Sequence, residues 1–224
     1  MPESFVSDLA GYRQAAVFNP WGERDIENDG DVHGEEIRRR QLSAYLQERI
    51  GRARILLLAE AIGYQGGHFS GIPMTSERLL LGGLRHKKIL PADVFLLVPQ
   101  RTSSPEVKPE GFTEPTATIV WGFFKTANVD PRSVVLWNAF PWHPYHLNKG
   151  LLSNRTPTDA ELVDGHKVLM QMLELGQFET VIAIGRKAAA QLAKLGIDAC
   201  EVRHPANGGA GKFREQMQLI LGRI

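Results

Sequence analysis

Apolar residues recur at helical spacing from Glu35 to Ile50, where Ile37, Leu42, Tyr45, Leu46 and Ile50 mark one side and predict a helix. The pattern then changes. After Arg54 the run Ile55-Leu56-Leu57-Leu58-Ala59 is continuously apolar, as a strand covered on both faces requires. Three further runs predict strands: Val134–Trp137, Val181–Ile184 and a shorter Glu201–Arg203. Helical stretches lie between them. Thr158-Asp159-Ala160-Glu161 has the spacing of a capping box, and the helix it opens carries Leu162, Val168, Leu169, Met172 and Leu173. Gly185 closes a strand, Arg186 to Leu195 reads as the next helix, and Gly196 stops it. Thr113 to Asn128 also reads as a helix, with Pro115 tolerated in the first turn.

Buried strands alternating with helices predict an α/β fold. The expected architecture is a three-layer α/β/α arrangement around a central, mainly parallel, four-stranded sheet. Residues 1–224 read as one domain, with 1–34, rich in Gly, Asn and Asp, expected to be an irregular arm that tucks Tyr12, Phe18 and Trp21 onto the body. In such folds ligands meet the loops beyond the carboxyl ends of the strands. That rule singles out Ala59–Ser76, Asn138–Pro157 and Arg203–Lys212.

Composition narrows the chemistry. The 224 residues hold one cysteine, Cys200, which excludes an intramolecular disulfide, an all-cysteine zinc site and a four-cysteine iron–sulfur cluster. A reducing, cytoplasmic setting is expected. The apolar runs are far shorter than the ~20 residues of a membrane span, and Glu3 and Asp8 stand where a secretory signal would be basic and then apolar. With 26 basic residues against 25 acidic ones, net charge says little about partners, but the basic residues cluster. Arg38-Arg39-Arg40, Arg49/Arg52/Arg54 and Arg85/Lys87/Lys88 read as solvated faces; Arg203/Lys212/Arg214 lies beside the third loop.

The first loop contains Gly63, Gly66, Gly67 and Gly71, which allow backbone amides close to a ligand or simply make tight turns. It has neither the P-loop ending nor the dinucleotide glycine pattern. In the second, Asn138 follows a buried strand. Its amide offers a donor pair and an acceptor, suited either to a planar base edge or to capping the turn before Pro141. His143 and His146 lack the neighbouring carboxylate or cysteine that would complete a metal site, so no metal or cofactor is expected. In the third, His204 stands at a strand end before Pro205, placed to donate to developing negative charge or merely to decorate a proline turn. Ser70 and Ser76 lack the strained context of a nucleophile elbow.

Taken in order, these motifs resemble the uracil-DNA glycosylase superfamily. Ala59-Glu60-Ala61-Ile62-Gly63 resembles the Gly-Glu-Ala-Pro-Gly form of its first motif, and Gly71-Ile72-Pro73-Met74 the Gly-x-Pro-Phe that follows. Asn138 with Pro141, then Asn154-Arg155-Thr156-Pro157, resembles its Asn…Asn-Arg-x-Pro stretch, and His204-Pro205-Ala206 its His-Pro-Ser. The spacing is most similar to the single-strand-selective monofunctional branch, among the branches without an iron–sulfur cluster. Ala59 and Ile62 depart from the usual Gly and Pro. Ala61 stands where the most active branches place a water-activating Asp, and Met74 where a Phe stacks on uracil.

The resemblance implies hydrolysis of the bond between uracil and deoxyribose, with uracil as product and DNA as partner, in a monomer. It assigns Asn138 to the uracil edge, with Met74, Phe69 and Gly63 around the base. His204 would act with Ala61 and Ile62 on the leaving base, and Glu60 would orient water or cap the loop. Arg203, Asn207, Gly208, Lys212 and Arg214 would meet DNA. The Asn207-Gly208-Gly209-Ala210 loop has no apolar wedge, which implies a preference for single-stranded or mismatched DNA. A base-binding protein without turnover, or a glycosylase for another damaged base, are the alternatives.

Overall fold

The computed structural model describes residues 2–222. Its centre is a four-stranded sheet of β2 (Ile55–Ala61), β3 (Val134–Phe140), β5 (Thr180–Ile184) and β6 (Cys200–Val202), in the order β3-β2-β5-β6 with every pairing parallel. The fold class is the expected one. Leu56, Leu57, Leu58, Val135, Leu136, Trp137, Ile182 and Ala183 are all buried, because helices cover both faces of the sheet.

α7 (Asp159–Gly176) packs on β3, α8 (Arg186–Lys194) on β5 and β2, and α9 (Ala210–Leu221) on β6. The contact between α7 and β3 explains Gly165. A Cβ there would lie 2.3 Å from the Ala139 carbonyl oxygen, so only glycine permits that approach. The capping box forms as expected: the Thr158 side chain accepts from the Glu161 amide and Glu161 accepts from the Thr158 amide.

The first 34 residues differ from the irregular arm expected. Residues Pro2–Ala10 form helix α1, which inserts Phe5, Val6 and Leu9 against α2 (Gly34–Gln47) and α7. Burying such side chains contributes about 1.5–3 kcal/mol each, enough to order a nine-residue helix whose sequence signals are weak. Next, β1 (Val17–Phe18) pairs antiparallel with β4 (His143–Pro144). Trp21 is fully buried and its indole N–H donates to the Gly71 carbonyl at 3.0 Å, and Tyr12 stacks on Trp142 at 3.7 Å. These residues therefore brace the first and second loops.

Two of the basic clusters are not simple solvated faces. Arg38 is fully buried, bonded to Asp29 at 2.8 Å and to the Pro20 carbonyl at 2.6 Å. Arg49 is buried over the Tyr45 ring and donates to the Val134 carbonyl at 3.1 Å. Arg38 ties α2 to the segment before it, and Arg49, just past the helix end, ties it to β3. Arg40, Arg52, Arg54, Arg85, Lys87 and Lys88 are exposed as expected. Among the described residues no helix is long and apolar enough to cross a membrane.

Candidate functional site

The strand ends and their loops enclose a cavity of about 320 Å³. One wall is the end of β2 and the residues after it, Ala59 to Gly63, joined by Met74. Opposite come Glu114 and Pro115, at the start of α6 (Pro115–Thr126), then Asn154 and Arg155 from the second loop and His204 and Ala206 from the third. A second hollow of about 770 Å³ adjoins it, sharing Glu60, His204 and Ala206 and adding the cations Arg186, Lys187, Arg203 and Lys212. All three singled-out loops thus converge.

Strand pairing carries β2 and β3 farther than the sequence suggested. Ala59 pairs with Asn138 and Ala61 with Phe140, so Glu60 and Ala61 end a strand and Asn138 lies inside one. Asn138 is buried and its Oδ1 has no hydrogen-bond partner among the described residues. Leaving such a group unpaired costs about 1–3 kcal/mol. It sits beside Ala59, a cavity residue, without lining the cavity itself.

His204 is held by its own turn. The Ala206 amide donates to its Nδ1 at 3.1 Å, which leaves the ring proton on Nε2. Burial, with the neighbouring Arg203 charge, holds the imidazole below its ordinary pKa and so keeps it neutral. Gly185, at φ +84°, brings its backbone under the ring, where a Cβ would meet that of His204 at 3.2 Å.

Glu60 carries an ion pair. Its Oε1 accepts from Lys187 Nζ at 3.0 Å, and Lys187 also donates to Thr156 Oγ1 at 2.6 Å. No backbone amide caps it among the described residues, so its expected alternative as a loop cap is not what the structure has. Met74 lines the cavity, with its carbonyl accepting from the Trp121 indole at 3.1 Å. Phe69 does not line it: its buried ring stacks on Phe112 at 4.1 Å, because an apolar ring on α3 (Gly67–Ser70) finds its partner in the core. Arg203, Asn207 and Lys212 line the basic hollow, whereas Arg214 is exposed on α9 away from it, and Gly208 is exposed at φ +74°.

A chain of buried polar groups runs from Asp25 to the second loop. Asp25 Oδ2 is 2.9 Å from His68 Nε2, His68 Nδ1 is 2.9 Å from His143 Nδ1, and His143 Nε2 is 2.8 Å from the Ser153 carbonyl. Burial pushes His143 down to about 3. His143 therefore ties loops together, while His146 is exposed. Next to Ser153, Asn154 Oδ1 accepts from the Tyr64 amide at 3.0 Å, and Arg155 bonds Glu161 at 2.6 Å.

Glu114 was not singled out by the sequence. Its position before a helix-starting proline was the one available signal, and that signal suggests a cap. It makes no cap bond. Its Oε2 is buried without a partner among the described residues, and burial raises the carboxyl to about 7. The carboxyl occupies the room Gly66 leaves, where a Cβ would come within 2.0 Å of Oε2.

The family model of the uracil DNA glycosylase superfamily matches residues 48–221. The chain belongs to that superfamily. Its fold is similar to that of SMUG2 from Pedobacter heparinus, a crystal structure 16% identical in sequence. That match has a TM-score of 0.66 and covers 99% of this chain and 95% of the other. Comparison with curated proteins gave no significant match.

Proposed function

We propose that this protein is a monofunctional DNA glycosylase that hydrolyses the N-glycosidic bond of uracil, or of a related deaminated base, in DNA. The observation that carries the reading is His204. It is a neutral imidazole with its proton on Nε2, at a cavity it shares with the residue 59–63 backbone. As the bond breaks, negative charge grows on the base. A preset donor at the base oxygen stabilises that charge, and the neutral ring donates through its protonated Nε2. Amides around Ala61–Gly63 would help. Asn138 would read the uracil edge, accepting from the ring N–H and donating to a carbonyl, a pattern that cytosine reverses.

The target nucleotide must leave the stack to reach such a pocket. Phosphates would lie along Arg203 and Lys212 in the basic hollow, with Arg214 farther out, giving affinity that falls with salt. Asn207, Gly208 and Ala206 are exposed and offer no large apolar side chain to fill a gap in duplex DNA. Single-stranded and mismatched substrates are therefore favoured. We take the protein to act as a monomer in a reducing compartment that holds DNA.

One observation favours a second reading, base binding without turnover: Ala61, Ile62 and Gly63 carry no group that handles a proton. Labelled oligonucleotides with a single uracil separate the two, as single strand, U·A and U·G. The glycosylase reading expects strand breaks only after alkali, fastest on the single strand. Retention of the DNA with no alkali-labile site on any substrate favours the silent binder.

A further inference from the structure

We propose that Glu114 is the general base of this site, the group that takes the proton from the attacking water. The inference rests on the glycosylase reading above. Hydrolysis needs a proton acceptor, and the first loop offers Ala61 and Ile62 at the positions nearest the end of β2. Glu60 holds its carboxylate in an ion pair with Lys187. Glu114 lines the same cavity as His204, comes from another element, and has a buried oxygen with no partner among the described residues. It stands at the N-cap of α6 without using its side chain as a cap. Gly66 leaves the space in which its carboxyl lies. A carboxyl oxygen buried without a partner among the described residues caps nothing, and the raised proton affinity of the group is what a base working near neutrality needs.

In the step, the bond between C1′ and the base nitrogen breaks and its electron pair leaves with the base. The His204 Nε2–H hydrogen-bonds that anion. Water oxygen bonds to C1′ while Glu114 accepts one water proton, leaving a hydroxyl on the sugar. The proton then passes from Glu114 to solvent and the base anion takes one up, so the sum is water plus nucleotide giving free base and an abasic site.

The test is single-turnover uracil release between pH 5.5 and 9 by wild type, Glu114→Gln and Glu60→Gln, with melting and DNA affinity measured alongside. The active form is the carboxylate, so the wild-type rate should rise tenfold per pH unit at acid pH and level off above about 7. Glu114→Gln should lose about 10²–10⁴-fold at the plateau and its pH dependence, with DNA affinity unchanged. Glu60→Gln, which alters the same cavity, should keep the wild-type pH slope whatever its effect on the plateau rate. Gly66→Ala, which displaces the Glu114 carboxyl, is an independent variant and should mimic Glu114→Gln. An active wild type whose rate and pH slope survive Glu114→Gln overturns the proposal alone. A wild type that releases no base from any substrate overturns the glycosylase reading, and this proposal with it.

Discussion

The Ala206 amide donates to His204 Nδ1 across 3.1 Å, and this contact between neighbours in one turn fixes the ring proton on Nε2. The consequence is testable on the rate. His204→Ala should slow base release by about 10²–10³-fold, the usual cost of removing one preset donor to a developing anion. DNA affinity, carried by the neighbouring cations, should hardly change, as a gel-shift titration would show.

Asn138 separates stability from function. Its Oδ1 makes no bond among the described residues that folding would lose, so Asn138→Ala should change the unfolding free energy from chemical denaturation by less than about 1.5 kcal/mol. The same variant should lose most of its preference for uracil over cytosine in competition assays. A large stability loss with intact discrimination would return Asn138 to a purely structural role.

Arg38 makes the opposite prediction. With Asp29 at 2.8 Å and both side chains fully buried, Arg38→Met leaves a buried carboxylate unpaired and should cost about 3–5 kcal/mol in urea denaturation. Replacing Asp29 as well should recover much of that loss.

Those last two residues show where a sequence is legible. The four strands, the Thr158 capping box and the three convergent loops follow from periodicity and turn chemistry, which are local. Arg38 reads as surface because three consecutive arginines on a polar helix are normally solvated. Its partner Asp29 and the Pro20 carbonyl come from a segment with no periodicity. Helix α1 leaves little trace in the sequence for a related reason: nine residues with little helical signal are ordered by the α2 and α7 surfaces they cover. Phe69 lay in a loop that reached the site, yet only the long-range neighbour Phe112 decides that its ring turns to the core. Glu114 carries no motif; its interest arises from burial without a partner, a property of the folded chain alone.

The basic hollow predicts a salt effect. Each phosphate contact on single-stranded DNA contributes about 0.7 to the slope of log affinity against log salt. Lys212→Ala and Arg203→Ala should each lower that slope by about this amount, equally for uracil-containing and normal strands. Arg214→Ala, outside the hollow, should lower it less.

His143 sets an acid limit on stability. Its folded pKa lies near 3, because burial and then the His68 neighbour disfavour its charge, against about 6.5 in the unfolded chain. Between those values the unfolded chain holds the extra proton, so this contribution is complete above about pH 6.5 and is lost as pH falls toward 3. Melting temperatures from pH 7 to pH 4 should fall less steeply for His143→Asn than for wild type, even though the variant starts lower.

The glycosylase activity is tested most directly by free uracil, measured by mass spectrometry after single-turnover incubation with a uracil-containing single strand, for wild type, Asn138→Ala and His204→Ala. Wild type should give stoichiometric uracil, each variant should lose at least about 10²-fold, and no strand breaks should form before alkali. Uracil release by wild type that both variants match would contradict the site described here. No release from folded wild type that still binds the strand would contradict the activity itself.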